Sequence, residues 1–272
     1  MSTITSEFAE IWRYRHLLRM LVVRDLKARY KNSAFGILWS FLQPLGMMAV
    51  LTFAFVIINK GPADKPNYNV YILSGYLAWT FFSGSVVGGT GSIVANGGLV
   101  KKVYFPRVLL PVSVVISAVA NFLFALPMFV LVCLISGHTL HTTLLLVPLA
   151  LLIQGTFSVG LAFMFSTLNV FYRDTQFILD LIMLAWFFMT PIFYDISQAR
   201  PVVIAGQVVD IALWVRRLNP MASMVNIFQE LMYYGRITAV DFWIRTAATS
   251  IVILVAGYLV FRRFSPRFGE EL

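Results

Sequence analysis

Few side chains in this sequence combine the residue types and spacings that metal binding or catalysis needs. His138 and His141 lie three residues apart, a spacing that two ligands of one metal ion can have, but no carboxylate or third ligand is near them in the sequence. We therefore interpret the pair as part of a solvated external turn and predict no metal site. Cys133, the single cysteine, lies within an apolar run and is expected to be a small buried hydrophobic residue.

Motifs that bind nucleotides or activate a nucleophile are missing from the sequence. It contains no G-x-x-x-x-G-K-[ST] loop, no H-E-x-x-H and no G-x-S-x-G. Asp180 lies inside an apolar stretch, but no second carboxylate accompanies it, which disfavours a proton relay. We predict that this chain has no catalytic residue and binds no cofactor, so that it acts as a conduit or scaffold.

The composition is that of a membrane protein. Of the 272 residues, 59% are hydrophobic and 12% charged, whereas soluble domains carry about 25% charged residues. Apolar residues are spread over the whole length, which indicates a single membrane domain covering residues 1–272. The net charge of +9 does not indicate a nucleic-acid partner, because the basic residues concentrate on segments predicted to face the cytoplasm and anionic membrane lipids.

Residues 24–58 determine the orientation of the chain. Arg24, Lys27, Arg29 and Lys31 precede a run without charge at 35–58, which is long enough to cross a bilayer as a helix, since about 20 residues suffice. Cations beside a first span are retained on the cytoplasmic side. The N-terminus is therefore predicted to be cytoplasmic.

The fold class predicted from the rest of the chain is an all-α integral membrane protein with six transmembrane helices. Lys and Arg are more numerous on the segments that this topology places inside, and both termini are then cytoplasmic. In the second span, Gly84 and Gly88 form a G-x-x-x-G pair, a pattern that lets helices approach closely, and we favour helix packing over a direct substrate role for the pair. The predicted spans are residues 35–58, 70–94, 112–135, 142–168, 177–194 and 242–261.

Three segments outside the spans have features of their own. Residues 7–31 are predicted to form an interfacial helix, because apolar side chains fall roughly on one face of it, which Arg15 and Arg19 interrupt. A solvated basic tail is the alternative interpretation. In 95–111, the cations Lys101, Lys102 and Arg107 flank an apolar patch. That patch consists of Val103, Tyr104 and Phe105. The patch is what a docking site for a cytosolic partner needs, although an ordinary interfacial loop has the same composition.

Residues 195–235 are predicted to hold two short helices that dip into, or lie on, the outer interface. Residues 202–215 are apolar but too short to span a bilayer. Asn219-Pro220 is a typical helix start, with a cap residue followed by a proline at the first helical position, and Gly235 is a typical stop. Between them, apolar residues recur at helical spacing: Met221, Met224, Val225, Phe228, Leu231 and Met232.

Four stretches together resemble a known family. They read, in chain order, RDLKARYKNSAFGILWSFLQPL, LVKKVYFPRVLLP, NVFYRD and LNPM. The chain is similar, over essentially its whole length, to the permease subunits of ABC-2 type polysaccharide exporters, and most of all to the O-antigen and teichoic-acid branch.

The resemblance implies a homodimer of two copies of this chain in the bacterial cytoplasmic (inner) membrane, paired with two copies of a separate cytosolic ATPase that binds ATP and magnesium. It implies that 7–19 match an interfacial helix, that 96–107 match the coupling helix gripped by the ATPase, and that 195–235 match an outer gate. The loop 169–176 lies near the same cytosolic face. The implied substrate is a lipid-linked polysaccharide on undecaprenyl diphosphate.

These implications assign candidate site residues in four groups. The ATPase-docking residues are Leu99, Lys101, Lys102, Val103, Tyr104, Phe105 and Arg107. Aromatic side chains that a sugar polymer would contact in a conduit, or that simply pack or face lipid, are Trp79, Phe81, Phe82, Trp186, Phe187 and Tyr194. Cations for a diphosphate head group, with orientation of the chain as the alternative role, are Arg13, Arg15, Arg19 and Arg24. The outer-gate residues are Asn219, Pro220, Met224 and Phe228.

Three other functions remain open at this level. Two of them are transport functions, namely an ABC exporter permease for a small lipid or drug-like molecule and a gradient-driven transporter. A membrane-embedded glycan-processing enzyme would have to use one of the polar residues in the apolar stretches, which are Gln43, Asn121, Gln154 and Asp180.

Overall fold

The computed structural model of this chain describes residues 12–31, 33, 35–58, 66–194, 202–204, 207–209 and 218–272. The described part is helical except for turns and one small β-hairpin. The helices are α1 Arg15–Tyr30, α2 Trp39–Thr52, α3 Tyr68–Ala95, α4 Gly97–Lys102, α5 Leu109–Ile135, α6 Val147–Phe171, α7 Thr175–Met189, α8 Pro220–Gln229, α9 Val240–Phe264 and α10 Phe268–Glu271.

Short segments of tighter or wider helix extend several of these elements. A 3₁₀ turn at Gly36–Leu38 leads into α2, and another at Thr142–Leu146 leads into α6. A π-helical segment, Phe53–Ile58, continues α2, and a second, Glu230–Tyr234, continues α8. The apolar helix that begins at α2 is therefore longer than its α-helical part.

Within the described residues, four helices are long and apolar enough to cross a membrane. They are Tyr68–Ala95, Leu109–Ile135, Thr142–Phe171 and Val240–Glu271. Two further apolar helices, Trp39–Phe55 and Thr175–Met189, are shorter. Each of the six predicted spans overlaps one of these six helices, in the predicted order. The chain has the architecture of an integral membrane protein.

Helix α3 is the centre of the bundle. It packs against α5 and α6 along much of its length and also contacts α2, α7 and α8. Many of its side chains are small or aromatic, and most are buried. The main hydrophobic core forms around it, with large buried side chains such as Phe82, Phe129, Phe157 and Phe228.

Helices α6 and α9 approach each other closely where they cross. A β-carbon added to Gly160 would lie 2.6 Å from the backbone carbonyl of Ile253, and one added to Gly257 would collide with the carbonyl oxygen of Gly160. Two glycines that face each other let backbones come together in this way. The sequence pattern did not reveal this pair, because the two glycines lie on different helices.

Replacing Gly160 with alanine is therefore expected to lower the free energy of unfolding by about 1–3 kcal/mol, since a methyl group has no room between the two backbones. Thermal unfolding of the detergent-solubilised protein measures the change. Gly46→Ala is the matched control, because nothing lies within 4 Å of the position its β-carbon would take. Equal melting temperatures for the two variants would contradict the packing role of Gly160.

The segment between α7 and α8 differs from the prediction of two helices. Val202–Ile204 and Gln207–Val209 form antiparallel strands, β1 and β2, with Val203 opposite Val208. The first of the two predicted helices is therefore wrong over these residues. Runs of β-branched residues on both sides of Ala205-Gly206 favour a hairpin over a helix. Residues 195–201, 205–206 and 210–217 lie outside the described residues.

Helix α1 lies within the predicted segment 7–31, of which residues 7–11 are outside the described residues. It packs along α5, where the hydroxyl group of Ser117 lies 3.4 Å from the carbonyl oxygen of Val22. Arg24 joins α1 to the end of α3 by donating a hydrogen bond of 2.8 Å to the side-chain oxygen of Asn96. The N-terminal helix is thus fixed to the bundle at two places.

Candidate functional site

The predicted docking segment consists of the short helix α4 and the loop that follows it. Lys101, Lys102 and Val103 are exposed, and the side chain of Tyr104 is 90% exposed. Leu99 is half-buried. The segment therefore exposes an aromatic ring and two cations close together in the chain, an arrangement that a partner protein can bind.

Phe105 does not belong to this exposed patch. Its side chain is only 6% exposed and packs into a second hydrophobic cluster, separate from the main core. We call this the terminal cluster, because it joins both terminal segments of the described chain. Its buried members are Leu21, Ile93, Val100, Phe105, Leu109, Leu110, Phe163, Val170, Phe261 and Phe268.

Arg107 is predicted to contact a partner. In the structure it binds residues 265–272 of the same chain, which we call the C-terminal segment. Its guanidinium group donates a hydrogen bond to the carbonyl oxygen of Ser265 and lies 6.0 Å from the ring centroid of Phe268. Phe268 is fully buried, and the side chain of Leu272 lies beside Gly97. The C-terminal segment thus packs against the docking segment.

Sequence reasoning missed this role of the C-terminal segment. The signal was the pair of phenylalanines in RRFSPRF, which lie on either side of a proline among cations. Pro266 lies in a 3₁₀ turn, Ser265–Arg267, that turns the chain so that Phe268 points back into the bundle. The ring of Phe268 then meets those of Phe171 and Phe261.

Four of the six aromatic residues predicted for a conduit are buried in the core of the single chain. Trp79 contacts Phe82 and Phe187 with ring centroids 5.5 Å apart in both pairs, and Phe81 contacts Phe122. Trp186 and Tyr194 are half-buried. The structure favours the packing role for the buried four, because their faces are already covered by other rings.

Asn219 joins the start of α8 to the end of α7. Its side-chain oxygen accepts hydrogen bonds from the backbone N–H groups of Met221 (3.0 Å) and Ala222 (3.3 Å), which confirms the predicted helix cap. The same oxygen accepts a hydrogen bond of 2.8 Å from the indole N–H of Trp186. Its amide group donates to the hydroxyl oxygen of Thr190 at 3.1 Å. One side chain therefore fixes the angle between two helices.

The rest of α8 is buried on nearly all sides. Met224 and Phe228 are buried, as expected for its apolar face, and Gly235 ends the segment with a left-handed φ of 65°. Gln229 is polar, yet it is buried as well. Its amide donates hydrogen bonds to the carbonyl oxygens of Pro191 (3.3 Å) and Ile192 (3.2 Å).

Replacing Asn219 with alanine removes the helix cap and all the bonds to α7, and is expected to lower the free energy of unfolding by about 2 kcal/mol. Asn219→Asp keeps the acceptor oxygens but loses the hydrogen bonds that the amide group donates. Its stability should therefore lie between that of the wild type and that of Asn219→Ala. Thermal unfolding in detergent measures the order. An alanine variant as stable as the wild type would show that the bridge contributes nothing.

The four candidate head-group arginines are exposed on or beside α1. Arg24 forms an ion pair of 2.9 Å with Asp25, and the guanidinium of Arg15 lies 5.7 Å from the ring of Trp12. Arg19 and Arg24 line an open groove along α1 together with Lys27 and Lys31. The groove combines cations with apolar side chains, as a membrane-surface site does.

His138 and His141 pack against the end of α8. The ring of His138 stacks on that of Tyr233 at 4.9 Å, and its Nε2 donates a hydrogen bond of 3.0 Å to the Tyr233 carbonyl oxygen. Burial lowers the pKa of His138. Among the described residues no group of three possible metal ligands occurs. The histidines are half-buried and help to hold the turn in place, whereas the prediction described the turn only as solvated.

Comparison with known proteins gives one family. The model of the family described as "ABC-2 type transporter" matches residues 16–233. The O-antigen export system permease protein RfbA of Myxococcus xanthus is 34% identical over 268 residues, which cover 97% of this chain and 98% of that protein. A permease of the same name from Klebsiella pneumoniae is 31% identical over 94% of this chain and 95% of its own length. The polysialic acid transport protein KpsM of Escherichia coli is 24% identical over 89% of this chain and 91% of its own.

Proposed function

This chain belongs to the ABC-2 type transporter family, and we propose from that membership that it is the permease subunit of an ATP-driven polysaccharide exporter. The observation that carries the proposal is the similarity, over nearly the full length of both chains, to a protein named as an O-antigen export permease. A more distant relative is named for polysialic acid transport. Both names describe the export of a sugar polymer.

The energy for export comes from a separate ATPase subunit with ATP and magnesium, and this chain contributes the membrane path. Six spans with both termini in the cytoplasm put α4 and the C-terminal segment on the same side as that ATPase. The exposed pairing of Tyr104 with Lys101 and Lys102 supports docking there. Two copies of this chain form the path between them, in the bacterial cytoplasmic membrane.

The substrate is a glycan linked to undecaprenyl diphosphate. A diphosphate is recognised by cations at the membrane surface. The groove along α1 offers four of them, together with apolar side chains such as Met20 and Val23 that suit a lipid tail. This groove supports entry of the lipid-linked end at the cytoplasmic interface.

Reconstitution tests the proposal. The chain is co-expressed with its neighbouring open reading frames, purified with the ATPase that accompanies it, and placed in vesicles loaded with undecaprenyl-diphosphate-linked glycan. ATP should make the glycan accessible to a glycosidase on the opposite side, and an ATPase variant that cannot hydrolyse ATP should not. Movement without ATP, or none with it, would refute the proposal.

A further inference from the structure

A polar crevice lies between α2, α3 and α5, apart from the docking segment and from α8. Its volume is about 260 Å³. Gln43 of α2, Thr80 of α3 and Asn121 of α5 bring polar side chains to it from three helices, and Arg29 of α1 adds a cation. Each of these helix positions lies within or beside a predicted membrane span.

Gly84 forms part of the wall and leaves the crevice open. A β-carbon added there would have nothing within 4 Å, whereas one at Gly88, a turn away, would lie 2.9 Å from Val114 Cγ1. Glycine inside a helix is less favourable than alanine, because it loses more conformational freedom on folding. Close packing explains Gly88 but does not explain Gly84, whose missing side chain adds only space to the crevice.

The lining suits a sugar ring. Amide and hydroxyl groups both donate and accept hydrogen bonds, as the hydroxyl groups of a sugar do. Trp39, which is exposed, adds an aromatic ring, and among the described residues that line the crevice none is a carboxylate. The hydroxyl group of Thr80 donates a hydrogen bond of 3.0 Å to the carbonyl oxygen of Leu77, and its oxygen can still accept one from a ligand.

The size limits what the crevice can hold. Pockets for drug-sized ligands measure about 300–1,000 Å³, so this one is smaller than those. It suits one sugar unit and not a folded length of polymer.

We propose that this crevice is a subsite for a single sugar unit of the exported glycan. Gln43, Thr80 and Asn121 bind its hydroxyl groups, and Gly84 provides the room. The inference rests on the proposed function and deepens it, because it assigns the sugar contact to residues other than the buried aromatic ones. An anionic lipid head group held by Arg29 is the occupant that the test must separate from a sugar.

Cysteine labelling tests occupancy directly. Cys133 is the single cysteine and is buried, so Cys133→Ala gives a background without reactive thiols. In that background we expect Thr80→Cys, in the complex with its ATPase in nanodiscs, to react with a water-soluble thiol reagent. Leu123→Cys, exposed on α5 but outside the crevice, is the control and should react at least tenfold more slowly.

Three additives identify the occupant. Undecaprenyl-diphosphate-linked oligosaccharide should slow labelling of Thr80→Cys at least fivefold, while sugar-free undecaprenyl diphosphate and phosphatidylglycerol should not. Equal protection by either sugar-free lipid would overturn the sugar assignment in favour of a phosphate. Failure of Thr80→Cys to react faster than Leu123→Cys would overturn the crevice as a water-accessible site.

Filling the crevice tests its use in transport. Gly84→Ala, Gly84→Val and Gly84→Leu should reduce ATP-driven glycan movement progressively, to a tenth or less for leucine, while ATPase recovery stays unchanged. Gly46→Leu adds the same side chain where space is equally open but outside the crevice, and should leave transport within twofold of wild type. Transport by Gly84→Leu at the wild-type rate would overturn the inference alone, whereas failure of the wild type itself would overturn the proposed function.

Discussion

Replacing Tyr104 with alanine is expected to reduce recovery of the ATPase subunit with this chain about 30-fold. The side chain is 90% exposed and stands beside two cations, so a partner surface can cover it completely. Tyrosines covered in this way contribute about 2 kcal/mol or more to an interface, which corresponds to that factor in affinity. Co-purification in mild detergent, with ATPase activity as the readout, measures the loss.

Phe105→Ala is the matched comparison, because it removes the neighbouring aromatic ring, which is buried in the protein interior. The cavity that it leaves in the terminal cluster should cost about 3–5 kcal/mol and lower the melting temperature. Tyr104→Ala should leave the melting temperature unchanged. If Tyr104→Ala retains the ATPase at the wild-type level, the docking role of this segment is wrong.

Charge reversal extends the same test. Lys101→Glu with Lys102→Glu should slow association at low salt, and the difference from the wild type should shrink at high salt, since exposed charges act mainly on the rate of encounter and are screened by salt. The double variant adds no apolar change, so an effect on binding at low salt that disappears at high salt identifies an electrostatic contribution. The tyrosine and the lysines are thereby tested separately.

Local signals in the sequence predicted the helices and their ends well. Long apolar runs predicted where α3, α5, α6 and α9 lie, because the bilayer imposes a minimum length on any span. The cap at Asn219 and the stop at Gly235 were also predictable, since both depend on the conformation of only a few residues. The hairpin at 202–209 was missed although its β-branched residues are equally local.

Contacts between distant segments could not be predicted in the same way. Nothing near Phe105 in the sequence shows that Phe268 packs in the same cluster, so its apolar ring looked like part of the exposed patch. Glycine spacing has the same limit. Gly84 and Gly88 look alike in a pattern, but only the structure shows that one adjoins Val114 and the other an open crevice.

The C-terminal segment is expected to transmit force, and Phe268→Ala tests this. Its ring is fully buried where α6, α9 and the docking segment meet, so removing it should loosen the docking segment without removing Tyr104 from the surface. We expect the ATPase to bind within threefold of wild type while glycan moved per ATP hydrolysed falls about tenfold or more. The ratio of the two rates in vesicles is the measurement.

Two variants separate force transmission from general instability. Arg267→Ala changes the exposed neighbour of Phe268 and should leave the ratio unchanged. Phe268→Leu refills most of the cavity and should restore much of the glycan transport per ATP, because large apolar side chains substitute for one another at modest cost. Unchanged glycan transport per ATP in Phe268→Ala would show that the docking segment moves the spans without the C-terminal segment. Force would then pass from the docking segment directly into α5, which follows it in the chain.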